Sequence, residues 1–176
     1  MSTLNDIWLT VVSEFSDIAD IKEATVIVLR LGLAVILGAA IGYEREMKGK
    51  DAGLRTHMLV SLGAAIFVLV PAASGMQISD MSRVMQGVIA GVGFLGAGAI
   101  LKQENDRVVK GLTTAASIWI VAAIGVAAGY GREATAVAST LIALFVLAVV
   151  NRFEKNIPKD GTPSPRSEDH RSSSAP

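Results

Sequence analysis

The stretch "GVIAGVGFLGAGAI" at residues 87–100 decides between two classes of protein. Gly91, Gly93 and Gly96 form the G-x-G-x-x-G pattern of dinucleotide-binding loops. Such a loop follows a strand and opens an amphipathic helix in a soluble α/β unit. Here the pattern lies within the apolar run 84–101, which contains no charged residue. Because a pyrophosphate could reach it only through lipid, the context favours a membrane helix over a nucleotide loop.

The composition supports a membrane protein. Apolar residues make up 51% of the 176-residue chain and charged residues only 18%, against roughly 25% charged in an average soluble domain. The formal net charge is zero, so there is no bulk electrostatic case for nucleic-acid binding. The chain has no cysteine, which excludes disulfides, thiolate metal sites and cysteine nucleophiles.

Five segments are long and apolar enough to cross a bilayer, which takes about 20 residues. They predict an all-α, polytopic membrane bundle of five transmembrane helices. None of the five contains Asp or Glu, and Arg30 is the only charged residue in them. An arginine inside a span is a functional hypothesis by default; Arg30 either extends to the membrane surface or pairs within the bundle. The predicted spans are Ala24–Tyr43, His57–Ala73, Val84–Leu101, Leu112–Tyr130 and Ala134–Val150.

The basic residues predict the orientation of the bundle. Twelve of the 16 Lys and Arg residues lie in segments 44–56, 102–111 and 151–176. A five-span topology places these three segments on one side of the membrane, and the positive-inside rule makes that side the cytoplasm. The N-terminus is therefore predicted outside and the C-terminus inside.

The two ends of the chain differ from the membrane domain, which we assign to residues 24–150. In residues 1–23 apolar side chains recur at helical spacing, which predicts an amphipathic helix. That helix either lies on the outer membrane surface or docks on the rest of the protein. Segment 151–176 ends in "IPKDGTPSPRSEDHRSSSAP", which has little to bury and predicts a disordered cytoplasmic tail. The apolar positions of the N-terminal helix are Leu4, Ile7, Trp8, Val11, Val12, Phe15 and Ile18.

The glycines of the third span predict close helix packing. Small residues let helix backbones approach each other in lipid, where packing drives association. The predicted packing positions are Gly87, Gly91, Gly93, Gly96 and Gly98. Their contacts are satisfied either within one chain or in a homodimer.

The fourth span, in "GLTTAASIWIVAAIGVAAGYG", repeats this pattern of small residues. Thr113, Thr114 and Ser117 can bond to neighbouring helices or to carbonyls of their own helix. We expect this span at the centre of a tight bundle or in an oligomer contact.

The stretch "IGYEREMKGKDAGLRTHMLVSLGA", residues 41–64, is the polar connection between the first two spans. Gly49 and Gly53 interrupt any long helix and predict a compact turn that folds against the bundle. Around them, i,i+4 spacing permits the ion pairs Glu44–Lys48 and Asp51–Arg55.

His57 opens the second span and is predicted to be an interfacial histidine rather than a metal ligand. No second His, Cys or acid stands beside it at ligand spacing. The charges of the connection have two readings: solvated helix ends that set the topology, or a functional cluster.

Three blocks of the sequence resemble the MgtC/SapB family of bacterial inner-membrane proteins. They are "LGAAIGYEREMKGKDAGLRTHMLVSLGA", "GVIAGVGFLGAGAIL" and "VKGLTTAASIWIVAAIGVAAGYG", and with the fifth span the resemblance covers roughly residues 28–150. Their order and spacing make the resemblance specific. The family pattern falls on Gly42, Glu44, Arg45, Gly49, Lys50, Gly53, Leu54, Arg55 and Thr56; on Gly93, Phe94, Leu95, Gly96, Ala97 and Gly98; and on Gly111, Leu112, Thr113, Thr114, Ala115 and Trp119.

The resemblance implies a five-span inner-membrane protein linked to magnesium homeostasis and, in pathogens, to growth in low magnesium and survival in host cells. It implies a regulator that acts on membrane partners such as ATP synthase, or a Mg²⁺ transporter. Longer members carry a soluble domain after the last span, and activities that rest on that domain are not transferred to this sequence.

The residues themselves bear on the choice between these functions. Mg²⁺ is usually held by carboxylates and water, and the predicted spans contain no carboxylate. A dehydrated Mg²⁺ site would have to use carbonyls, Gln86 or hydroxyls such as those of Thr113 and Thr114. A hydrated ion could instead pass along a polar seam, with Glu44 or Glu46 at its inner mouth. No nucleophile–base pair or metal cluster is visible in the sequence. We therefore expect a regulator rather than an enzyme, with no cofactor, and keep the transporter as the alternative.

Overall fold

The computed structural model describes residues 2–14, 20–102 and 109–154. Within these ranges the chain is helical apart from turns and one short ladder. Strands β1 (Leu101–Lys102) and β2 (Val109–Lys110) pair antiparallel, with Leu101 opposite Lys110. The predicted all-helical class is confirmed. The helices are α1 (Ser2–Glu14), α2 (Ile21–Met47), α3 (Leu54–Ala73), α4 (Ile78–Gly98), α5 (Leu112–Gly129) and α6 (Glu133–Glu154).

Three of the described helices, α2, α3 and α5, are long and apolar enough to cross a membrane. Helix α6 contributes a shorter apolar segment, Glu133–Val149. Helix α4 begins with a polar turn that contains Asp80 and Arg83, so only its later part is strongly apolar. Length and composition therefore identify three candidate spans, and a count of five stays a prediction.

Several helices extend beyond the predicted apolar segments. Helix α2 begins at Ile21, inside the predicted N-terminal segment 1–23, because the carboxylate of Asp20 accepts a hydrogen bond from the Glu23 backbone N–H at 2.7 Å. Such an N-cap satisfies one of the free donors of the first turn. Helix α4 begins at Ile78 rather than Val84 and ends at Gly98. Hydrophobicity locates the lipid-compatible part of a helix, whereas capping decides where the helix begins.

Helix α5 lies at the centre of the bundle and contacts α2, α3, α4 and α6. Small and β-branched residues such as Ala34, Ala65, Val121 and Ala128 form the main core, and all four are fully buried. The central position expected for the fourth span is confirmed. Helix α4 packs against α5 and α3, whereas α6 packs against α5 and α2.

Helix α1 does not dock on the bundle. Every described side chain from Thr3 to Glu14 is exposed, and Leu4 and Trp8 are 78% and 65% exposed. The docked alternative is thus not observed, and the apolar side chains are open to a membrane surface. Predicted features at Phe15 and Ile18, at Arg107, and in the tail from residue 155 onward lie outside the described residues.

Gly111 connects the short ladder to α5 and needs to be glycine. Its φ of +91° is in the left-handed region, and an added Cβ would lie 1.9 Å from the carbonyl oxygen of Ala99. Side chains rarely adopt this backbone conformation. Gly111 therefore lets the end of α4 and the start of α5 approach closely.

Candidate functional site

Helix α3 is held between two helices that present glycine to it. An added Cβ on Gly38 of α2 would lie 2.7 Å from the His57 carbonyl oxygen, and one on Gly42 would lie 2.8 Å from the Leu54 Cα. On the other side, added Cβ atoms on Gly125 and Gly129 of α5 would lie 2.2 Å and 2.3 Å from α3 carbonyl oxygens. Since Cβ atoms essentially never come within 3.0 Å of another atom, all four positions require glycine for this packing.

His57 lies at this three-helix junction and is completely buried. Its Nδ1 is 2.8 Å from the Gly53 carbonyl oxygen, and its Nε2 is 3.0 Å from Ser117 Oγ on α5. The glycines of α2 and α5 bring both helices over the imidazole, so His57 lies inside the protein rather than on its surface. Its predicted position at the membrane interface stays a prediction.

The charges at the end of α2 form a compact cluster. The Glu44 carboxylate is shared: Oε2 accepts from Arg45 Nε at 2.5 Å, and Oε1 pairs with Lys48 Nζ. Lys48 Nζ also donates to the Leu147 carbonyl oxygen at 3.1 Å, which ties α2 to the end of α6. The predicted Glu44–Lys48 pair is confirmed.

Arg45 is the most unusual member of this cluster, because only 1% of the residue is exposed. Its Nε is bound to Glu44, while both Nη atoms are buried without a hydrogen-bond partner. A buried cation is expensive unless it is paired and hydrogen-bonded. The guanidinium therefore retains unused N–H donors at the end of the helix junction that lies next to the α2–α3 turn.

The turn between α2 and α3 is closed by Glu46. Its Oε2 accepts a hydrogen bond from the backbone N–H of Leu54 at 2.8 Å, so a carboxylate from α2 caps the start of α3. A negative charge at a helix N-terminus is stabilising. Gly49 has a φ of +61° after the end of α2, and Ala52 in the turn is buried. The predicted compact turn at Gly49 and Gly53 is confirmed.

The remaining residues of the polar motif lie on the outside of this turn. Lys50, Arg55 and Thr56 are exposed and line a pocket of about 510 Å³ together with Glu46 and Asp51. Asp51 lies in a bend before α3, and among the described ion pairs it has none with Arg55. The Asp51–Arg55 pair is absent because the helix that would give it i,i+4 spacing begins only at Leu54.

The glycines of α4 face open space. Added Cβ atoms on Gly87, Gly91, Gly93 and Gly98 would meet no atom within 4 Å, and one on Gly96 would lie 3.7 Å from the Ala115 Cβ. Gly87 and Gly91 line an apolar groove of about 620 Å³ between α3 and α4. Within one chain, only Gly96 of the five predicted packing glycines reaches a neighbouring helix.

The polar residues of α5 divide between the two faces of the helix. Thr114 and Ser117 are buried, and Ser117 Oγ donates to the Thr114 carbonyl oxygen at 2.8 Å. Thr113 is exposed, as is Trp119, at 50%. Only the buried face of the predicted motif therefore takes part in the helix junction.

Arg30 pairs within the bundle. Its Nε is 3.4 Å from Glu133 Oε1 at the start of α6, and its guanidinium lies against Gly131 in the α5–α6 turn. This pair connects α2 to α6 at the end opposite the Glu44 cluster.

No group of three or more His, Cys, Asp or Glu residues in the described part of the chain is arranged to hold a metal ion. The carboxylates nearest the junction are already engaged, Glu44 with two cations and Glu46 with the α3 backbone. Among the described residues, the junction therefore presents buried N–H donors and helix caps rather than free carboxylates.

The comparison with protein families decides the identity of this membrane bundle. A model of the MgtC family matches residues 31–156, a segment that contains the α2–α3 turn, the α4 glycines and the polar residues of α5. The chain belongs to the MgtC family. The resemblance seen in the three sequence blocks is thereby confirmed.

Named relatives of this MgtC-family chain agree with that assignment. SrpB of Synechococcus elongatus is 44% identical over 137 residues, covering 72% of this chain and 75% of SrpB. "Putative magnesium transporter YhiD" of Escherichia coli K12 is 43% identical over 133 residues, covering 72% of this chain and 61% of YhiD. MgtC of Salmonella typhimurium LT2 is 44% identical over 119 residues, 66% of this chain and 49% of MgtC. No solved structure matches the chain.

Of the four glycines at the junction, the sequence analysis named only Gly42. It missed Gly38, Gly125 and Gly129, although their spacing is visible in the sequence. Gly38 and Gly42 have the G-x-x-x-G spacing, as do Gly125 and Gly129. The same spacing occurs at Gly87 and Gly91, so the motif alone does not tell which pair makes a contact. In this MgtC-family chain the pairs in α2 and α5 are the ones that meet another helix.

Proposed function

We propose that this chain is a five-span, multi-pass protein of the bacterial inner membrane, with the N-terminus outside and the C-terminus in the cytoplasm. Two contacts support this topology. Lys48 after α2 bonds to Leu147 near the end of α6, while Arg30 pairs with Glu133 at the start of α6. The basic α2–α3 turn and the end of α6 thus share one end of the bundle, which the positive-inside rule assigns to the cytoplasm.

Within that membrane, the proposed function is non-enzymatic regulation linked to magnesium homeostasis, exerted through membrane partners. The observation that carries it is the open glycine face of α4 beside the groove between α3 and α4. In lipid, small residues permit close approach of another helix. Candidate occupants are a subunit of a membrane enzyme such as ATP synthase, or a second copy of this chain as a homodimer.

Growth in low magnesium tests the regulator. Gly91→Leu fills the groove, and its Cβ meets no atom within 4 Å, so we expect the variant to insert and fold but to lose complementation of a deletion strain. Ala90→Leu adds the same side chain at a neighbouring exposed position and is expected to retain activity. Full complementation by well-inserted Gly91→Leu would contradict a role for this face.

The alternative function is Mg²⁺ transport, which the name of the YhiD relative favours. In this conformation the Glu44 carboxylate is neutralised by Arg45 and Lys48, so a cation would first have to displace them. Mg²⁺ flux into liposomes that contain the purified chain distinguishes the two functions. Flux that Glu44→Gln and Arg55→Ala abolish would establish a transporter, while no flux from folded protein would favour the regulator.

A further inference from the structure

The imidazole of His57 has one hydrogen bond whose direction is fixed. Nδ1 lies 2.8 Å from the carbonyl oxygen of Gly53. A carbonyl oxygen can only accept, so Nδ1 carries a hydrogen. In a neutral imidazole the other nitrogen, Nε2, then has no hydrogen and acts as an acceptor.

The Ser117 hydroxyl faces two groups that both need a hydrogen. Ser117 Oγ is 3.0 Å from His57 Nε2 and 2.8 Å from the carbonyl oxygen of Thr114. A hydroxyl has a single hydrogen, so with neutral His57 it can donate to only one of them. If Nε2 is protonated, Nε2 donates to Ser117 and Ser117 donates to Thr114. All three short contacts are then hydrogen bonds, and the arrangement uses one hydrogen more than neutral His57 provides.

The charges around His57 come from α2. Arg45 and Glu44 are the charged groups that act on the imidazole, and from α5 the neutral hydroxyl of Ser117 contacts it. Arg45 opposes a second positive charge, while Glu44 offsets Arg45 through their hydrogen bond. Burial of the imidazole also opposes its charged form, and the three short contacts favour it.

Three buried polar atoms at this junction have no hydrogen-bond partner within the protein. They are the two Nη atoms of Arg45 and Oγ of Ser61, one turn after His57 on α3. Buried polar groups of this kind are commonly satisfied by internal water. Arg45 belongs to the same end of α2 as the α2–α3 turn, so a proton carried by such water comes from the side of the membrane on which that turn lies.

We propose that His57 is a proton-binding site at the junction of α2, α3 and α5. A hydronium ion from the side of the α2–α3 turn gives its proton to the Nε2 lone pair and leaves as water. The Ser117 hydroxyl rotates at the same time, so that its hydrogen moves from Nε2 to the Thr114 carbonyl oxygen. The bond between α3 and α5 becomes charge-assisted and stronger. The site is independent of whether the chain regulates a partner or transports an ion.

Imidazole ¹⁵N NMR of the full chain in lipid bilayers tests this site directly. The chain has two histidines, His57 and His170, and His57→Gln assigns their signals. We expect His57 to change reversibly from one protonated nitrogen to two between about pH 4 and 9. Ser117→Ala removes the acceptor of the charged form and should weaken proton binding about tenfold. Ser139→Ala on α6 should leave the titration unchanged.

Two results would overturn the proposal. One is a single protonation state of His57 across this range while His170 titrates in the same sample. The other is a titration of His57 that is the same in wild type and in folded Ser117→Ala. Because the serine variants only remove a hydroxyl, and His170→Gln assigns the two signals equally well, the test stands even if His57→Gln fails to fold.

Discussion

Two sets of glycines with the same spacing have opposite surroundings in this protein. Gly125 and Gly129 on α5 press against the backbone of α3, whereas Gly87 and Gly91 on α4 have no neighbour within 4 Å. The first pair holds the bundle together, and the second leaves a surface open. The difference shows that G-x-x-x-G marks a helix face that can be approached closely, while the neighbouring helices decide whether it is.

The largest expected effect comes from breaking the closed pair. In Gly125→Leu the new Cβ would lie 2.2 Å from the Ser61 carbonyl oxygen, and α3 cannot move away because α2 packs on its other side. We expect the free energy of unfolding to fall by more than about 3 kcal/mol, measured by SDS denaturation in mixed micelles. Gly91→Leu should cause no loss, because an added Cβ there meets no atom within 4 Å and leucine favours a helix more than glycine does. Equal losses of unfolding free energy in Gly125→Leu and Gly91→Leu would contradict the difference between the two glycine pairs.

A smaller loss is expected at the α2 contact. An added Cβ on Gly42 would lie 2.8 Å from the Leu54 Cα and 3.0 Å from the His57 Cβ, so Gly42→Ala forces α2 and α3 apart slightly. Overpacking of this kind costs about 1–3 kcal/mol. Gly32→Ala is the control on the same helix, because nothing lies within 4 Å of Gly32. The same denaturation assay compares them, and a Gly42→Ala variant as stable as Gly32→Ala would contradict the close contact.

Gly53→Ala tests whether a close neighbour that can move costs less stability than the fixed backbone neighbour at Gly42. Its Cβ would lie 2.7 Å from Glu46 Oε2, the end of a side chain that can rotate away. The expected cost is the lost cap on Leu54, about 0.5–1 kcal/mol. In a double-mutant cycle with Glu46→Ala the two losses should not add, since both variants remove the same hydrogen bond. Full additivity would assign the cost of Gly53→Ala to another cause.

The smallest effect should have the opposite sign. Gly91→Ala adds a methyl group in open space and removes the flexibility of glycine within a helix. We expect a gain of up to about 1 kcal/mol in the free energy of unfolding. A clear loss in a preparation of single chains would show that α4 already packs against something at Gly91.

Much of the fold could be predicted from the sequence, because hydrophobicity and turn residues are local signals. The apolar runs located α2, α3, α5 and α6, and Gly49 and Gly53 located the turn after α2. The start of α4 was placed too late, because the mostly polar segment 79–83 continues the helix beyond its apolar part. Capping and helix continuation depend on backbone hydrogen bonds that hydrophobicity does not report.

The candidate site was predicted only in part. The Glu44–Lys48 pair follows from i,i+4 spacing within one helix and was found. The burial of His57 and its bond to Ser117, 60 positions along the chain, depend on how α3 and α5 approach each other. No local pattern contains that distance, so these contacts of His57 were not predicted from the sequence.

The sequence by itself determined that this is a helical membrane protein of the MgtC family, since apolar runs and ordered motifs are properties of the chain. Only the tertiary structure decided which glycines make contacts, which of the described carboxylates are engaged, and that His57 is buried. The physical reason is that glycine and small residues permit several helix pairings of similar quality. The actual pairing is selected by the simultaneous fit of α2, α3 and α5, which no single segment specifies.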